Sequence, residues 1–226
     1  TGVQTCALPI FLFFGFFLVV SLGALHSFFG TDGHHWGFIL GTALDLIHDR
    51  SLFTEVYIQY GVGQPLLLRA LSLFFPITLT SIGIMTSIVY GGNLLLVYAI
   101  IKKLSNAVLA AFFFVTAILL HTYAIFPWPN YYASFFVSAA IWMLIQQYSA
   151  KVVIASGVAL FLAFLFRSTY LLSVTAAAFA FIAVSVFDRR LRSRKVIQSL
   201  MVFYVCVIAF CAVLALQGHL SLWYEQ

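Results

Sequence analysis

Seven stretches of the chain are apolar on every side: residues 10–29, 78–101, 106–126, 131–149, 152–167, 169–187 and 196–216. Each approaches the roughly 17–25 residues that a helix needs to cross a bilayer, so the pattern predicts seven spans. The 36 residues between Lys151 and Asp188 hold one interruption, Arg167-Ser-Thr169. A single helix of that length would overshoot the membrane and leave Lys151 on the opposite side from the basic cluster at 189–195. Two spans keep both on one side.

The segment 30–77 is only half hydrophilic. Within Gly37–His48, apolar residues at 40, 43, 44 and 47 follow helical spacing. A second apolar stretch, Pro65–Phe75, opens with proline, a favourable first-turn residue. Both are too short to span and are expected to lie in the interface. Residues 49–64 between them read as loop, with Gly61 and Gly63 permitting tight turns. The predicted fold is therefore all-α: a polytopic transmembrane bundle with two interfacial helices in the first extracytoplasmic loop.

Composition strengthens this reading. The 226 residues are 64% hydrophobic, 18% aromatic and 8% charged, against roughly 25% charged in an ordinary domain, which excludes a soluble globule. The net charge of +5 could suggest nucleic acid, but the cations fall in short runs between apolar segments. That is topological patterning, so no nucleic-acid partner is expected and the first partner is the bilayer. Placing Lys102, Lys103, Lys151, Arg189, Arg190, Arg192, Arg194 and Lys195 in the cytoplasm puts eight of eleven basic residues inside. Five of six acids and all six histidines then fall at the far face. The expectation is a multi-pass plasma (inner) membrane protein whose chemistry is extracytoplasmic.

Residues 1–10 match, codon for codon, the translation of a common sequencing adapter, and are expected to lie outside the natural protein. Residues 11–226 would then be the N-terminal part of a longer transmembrane domain. Cys206 and Cys211, five apart in one apolar stretch, are not placed to form a disulfide.

Asp32 follows the first span closely, in Phe29-Gly-Thr-Asp-Gly-His-His-Trp36. An acid at the membrane surface beside glycines can approach a substrate and act as a base, or it can cap a loop. His34 and His35 add donors for a divalent cation, the one candidate cofactor, although adjacent loop histidines rarely ligate one ion. Glu55, Tyr57, Gln59 and Tyr60 pair an acid with groups suited to sugar hydroxyls and ring faces, and equally to interfacial anchoring. Arg167, between two spans, either grips a lipid-linked phosphate or snorkels to ordinary headgroups. Arg69 leans towards snorkelling. In the outer turn, Pro127 and Pro129 make Trp128 rigid, and His121 and Asn130 are polar beyond what an aromatic belt needs. Gly91-Gly92-Asn93 reads as a close helix contact.

The run Asp32-Gly-His-His-Trp-Gly37, the short helix around Leu44-Asp-Leu46, and Leu52-Phe-Thr-Glu-Val-Tyr-Ile-Gln-Tyr-Gly61 resemble the first loop of GT-C superfamily membrane glycosyltransferases. The similarity is to bacterial members related to protein O-mannosyltransferases and aminoarabinose transferases. It implies sugar transfer from a polyprenyl-phosphate donor to an extracytoplasmic acceptor. Asp32 would be the acid that deprotonates or orients the acceptor, and Glu55 the substitute for a second acid absent after Asp32. His34, His35, Tyr57, Gln59, Tyr60, His121, Asn130 and Arg167 would bind substrate. Other readings are a transporter or flippase for lipid-linked glycans, which expects mid-membrane polar groups and broken helices, or a non-catalytic membrane subunit.

Overall fold

The computed structural model describes residues 3–29, 33–121, 125–187 and 194–225. Ten helices form among them: α1 Val3–Phe29, α2 Gly33–Ile47, α3 Gly63–Leu71, α4 Leu79–Leu104, α5 Ala107–His121, α6 Pro129–Leu144, α7 Ala150–Phe166, α8 Tyr170–Phe187, α9 Arg194–Leu216 and α10 Leu220–Glu225. No strand is found among the described residues. An isolated bridge joins Leu52 to Val56.

Local chemistry sets several helix boundaries. Thr78 and Ser81 form a reciprocal capping box at the start of α4: the Ser81 N–H donates to Thr78 Oγ1 at 3.1 Å, and the Thr78 N–H donates to Ser81 Oγ at 2.8 Å. Asn106 Oδ1 accepts from the Leu109 N–H at 2.8 Å ahead of α5, and Ser149 Oγ accepts from the Val152 N–H at 3.2 Å at α7. Pro129 occupies the first turn of α6.

Every predicted apolar segment contains a helix, but the helices differ in reach. α1 over Pro9–Phe29, α4 and α9 are long and apolar enough to cross a membrane. The 15 to 18 residues of α5, α6, α7 and α8 give axes of about 22–27 Å, short of a hydrocarbon core of roughly 30 Å. The chain breaks at Arg167, where φ −149° and ψ 109° end α7, as the interruption predicts. α10, a short helix, has no counterpart among the elements that the sequence pattern predicts.

α1 packs on α4, α4 on α5 and α6, α6 on α7, and α7 on α9. Val19, Tyr90, Leu94, Ala110 and Phe114 form the core of the first half; Ala140, Leu160, Phe164, Phe203 and Val207 form that of the second. Tyr132 and Phe166 stack between the halves, with ring centroids 5.0 Å apart and planes 2° apart. Gly91 lets the helices approach, since a Cβ there would lie 2.8 Å from the Phe16 ring. Facing outward, Phe14, Leu120, Phe179 and Ile208 are 67–69% exposed, a surface suited to lipid and costly in water. Cys206 and Cys211 are free thiols.

Helix ends sort into two groups. The ends of α4 and α6 meet through Lys103 Nζ, which donates to Gln146 Oε1 at 2.7 Å, while Lys195 of α9 donates to the Leu144 and Gln146 carbonyls. At the other end lie the close of α1, α2, α3 and the loop between them, the start of α6 and the α7–α8 turn.

Candidate outer-end site

The second group of ends carries most of the site residues that the sequence points to. α2 begins at Gly33, so His34 and His35 occupy its first turn rather than the loop expected for them. Their rings lie 5.0 Å apart, and His35 is 5.5 Å from Trp128 and 5.9 Å from Phe126. Phe126 and Trp128 stack at 5.4 Å. His26, at the close of α1, joins them with its ring 5.7 Å from Phe126. Asp32 lies outside the described residues, immediately before α2. His121 is the last residue of α5.

The loop after α2 docks on the end of α7. The Tyr60 carbonyl accepts from the Ser168 N–H at 3.1 Å and from Ser168 Oγ at 3.2 Å. Gly61 makes that approach feasible, because a Cβ there would lie 2.4 Å from the Leu165 carbonyl oxygen. The Arg167 guanidinium sits 5.1 Å from the centre of the Tyr60 ring, and its Nε donates to Thr169 Oγ1 at 3.2 Å. This cation–π contact fixes the fork without neutralising it. Among the described residues Arg167 has no carboxylate partner.

Behind Tyr60, Gln64 is fully buried and its Nε2 donates to the Pro127 carbonyl at 2.9 Å, tying α3 to the outer turn. Gln64 Oε1, Asn130 Oδ1, Trp36 Nε1, Trp128 Nε1 and His26 Nδ1 are buried without a hydrogen-bond partner. Such buried polar groups each call for an explanation, ordered water among them. A crevice between Phe38, Gln59, Tyr60, Gln64 and Pro129 has a volume of about 10 Å³, room for one water at most. Tyr57 is exposed and meets Phe38 edge-on at 6.0 Å.

Glu55 belongs to a separate turn. Its Oε2 accepts from the Ser51 N–H at 2.7 Å, and that hydrogen bond, helped by the Ser51 side chain and the charge of Arg50, holds the fully exposed carboxyl below its usual value. A carboxylate so stabilised is a weak proton acceptor. The loop's cations are otherwise engaged: Arg50 pairs with Asp45 at 3.1 Å and Arg69 with Asp49 at 2.6 Å. Arg69 thus closes an ion pair at a site where snorkelling was expected.

The structure therefore brings His35, Trp128 and their neighbours together, and Tyr60 with Arg167, Gln59 and Gln64. Glu55 stands apart. Among the described residues no three His, Cys, Asp or Glu side chains gather in a metal-binding group. Sequence reasoning places His26, Trp36, Gln64 and Ser168 at this end without singling them out as site residues. A glutamine between Gly63 and Pro65 is the one visible signal. No family model, curated protein or solved structure matches this chain.

Proposed function

We propose that the chain is an integral membrane glycosyltransferase that moves a sugar from a polyprenyl-phosphate donor to an acceptor at the extracytoplasmic face. The reading takes α1 and α4 to α9 as seven crossings in the inner membrane, with Lys102, Lys103, Lys151 and Lys195 at the cytoplasmic end. The observation that carries it is Arg167: a guanidinium held over Tyr60 at the opposite end, with no described carboxylate to neutralise it. A lipid-linked phosphate keeps its charge at the interface, and the guanidinium fork suits it. The imidazole and indole groups of His35 and Trp128 lie at the same end, where a sugar would be handled. In this mechanism Asp32 accepts the acceptor hydroxyl's proton as oxygen attacks the anomeric carbon and the lipid phosphate leaves.

Transport is less well supported. Inside the bundle three hydroxyl pairs close on one another, Thr86 with Tyr132 at 3.2 Å, Ser156 with Ser199 at 2.8 Å and Thr175 with Tyr204 at 2.9 Å, instead of lining a path. The test is sugar transfer in proteoliposomes supplied with radiolabelled polyprenyl-phosphate sugars. Transfer should fall by at least about 100-fold in Asp32→Asn, and Arg167→Gln should raise the KM for the donor. No transfer from any such donor, or full activity in Asp32→Asn, rejects the proposal.

A further inference from the structure

The lysine end of the bundle holds a groove that plays no part in the reading above. It is an open cavity of about 690 Å³, lined by Leu12 and Phe16 of α1, Tyr98, Lys102 and Lys103 of α4, and Trp142 of α6, within the size range of lipid and small-molecule sites. Tyr98 and Lys102 lie along one stripe of α4, one helical turn apart, with Lys103 beside it at the mouth. The stripe runs from apolar wall to charged mouth.

Two features specify what would fill it. Tyr98 is 4% exposed and packs edge-on against Phe114 with ring centroids 6.1 Å apart, so it backs the groove as part of its apolar wall. The two lysines also differ. Lys103 is committed, its Nζ bonded to Gln146 Oε1 at 2.7 Å and 5.5 Å from the Trp142 ring centre. Lys102 is exposed and has no partner among the described residues. An apolar channel ending in one committed and one free cation complements an acyl chain carrying an anionic head. A second copy of the chain would bring like charges together at this mouth.

We propose that the groove binds an anionic phospholipid, with an acyl chain against Leu12 and Phe16 and its phosphate accepting from Lys102. The inference needs only a membrane-inserted bundle and holds whether or not the chain transfers sugars.

Brominated lipids test it in nanodiscs, because bromine quenches tryptophan on contact and Trp142→Phe isolates the groove's share of the signal. Brominated phosphatidylglycerol should quench Trp142 at about fivefold lower mole fraction than brominated phosphatidylcholine. Lys102→Gln should abolish most of that preference, and Lys151→Gln, at the same rim outside the groove, should leave it intact. Ala99→Phe, which fills the groove without altering charge, should protect Trp142 from both lipids. Equal quenching by the two lipids, or a loss in Lys151→Gln matching that in Lys102→Gln, overturns the proposal. Retained helicity of each variant by circular dichroism separates these outcomes from misfolding.

Discussion

The two ends of this bundle meet the same demand, polar groups at the edge of a lipid-facing body, in different ways. At the lysine end, partners come from the helix ends: Lys195 donates to the last carbonyls of α6, and Lys103 to Gln146 just beyond them. These are bonds that helix termini offer without added architecture. At the opposite end, α2, α3 and the loop between them form a further layer, whose buried Trp36, Leu46, Phe53, Val56 and Leu68 pack with Ile82 of α4 and Leu214 of α9. That layer rests on close backbone contacts, and its price is a set of buried polar atoms without partners. Damage to the layer should therefore stay local, and damage to the lysine end should be small throughout.

The sharpest way to break this contrast is Gly61→Ala. The new Cβ would face the Leu165 and Phe166 carbonyl oxygens at 2.4 and 2.8 Å, both backbone atoms that cannot rotate away. A destabilisation of about 2–3 kcal/mol is expected. Hydrogen exchange measured by mass spectrometry should speed up across 57–64 and 166–170 and stay unchanged at 143–150. Equal acceleration at both ends would mean that the layer is not a separate unit. A milder version compares two hydroxyls. Tyr132→Phe removes a buried bond to Thr86 at 3.2 Å and should cost about 1 kcal/mol. Tyr148→Phe removes an exposed bond to Gln198 at 3.1 Å and should cost under about 0.5 kcal/mol. Unfolding of the two variants in mixed micelles gives both values.

The added layer also contains slack that the spans lack. Gly37 sits within α2, and a Cβ there would meet nothing within 4 Å, the opposite of the crowding at Gly61. Gly37→Ala should stabilise the protein by up to about 1 kcal/mol through helix propensity alone, read in the same unfolding measurement. A loss would show that something covers this face of α2.

What the sequence reveals divides along the same line. The helical character of each apolar run, the break at Arg167 and the two short helices of the first loop are legible, because they depend on residues near one another in the chain. Helix lengths are not. The run 106–126 looks like one span, yet α5 ends at His121 and Ile125, 2% exposed, turns inward ahead of Pro127. Hydropathy counts apolar residues and does not read where a helix stops. His34 and His35 look like loop residues because glycines flank the motif, but α2 starts at the first of these glycines. The contact between Tyr60 and Arg167 and the bond from Gln64 to Pro127 are tertiary pairings. No periodicity announces them, and they define the candidate site.

The smallest effect belongs to Glu55. Its carboxyl lies below the ordinary value of 4.5, chiefly because the ionised form accepts the Ser51 N–H. A depressed folded-state value stabilises the protein above the unfolded-state value and ceases to do so as pH falls through the folded one. The 51–55 turn should therefore be intact at neutral pH and loosen only as pH falls below the ordinary carboxylate value, where the unfolded carboxyl already binds a proton and the folded one begins to. Following the Ser51 amide by NMR should show its shift titrating with a midpoint below that value, and Glu55→Gln should abolish the transition while leaving the Tyr60–Ser168 contacts in place. A midpoint above the ordinary carboxylate value would instead mark Glu55 as a group held protonated, and would return it to candidacy as a proton donor beside Asp32.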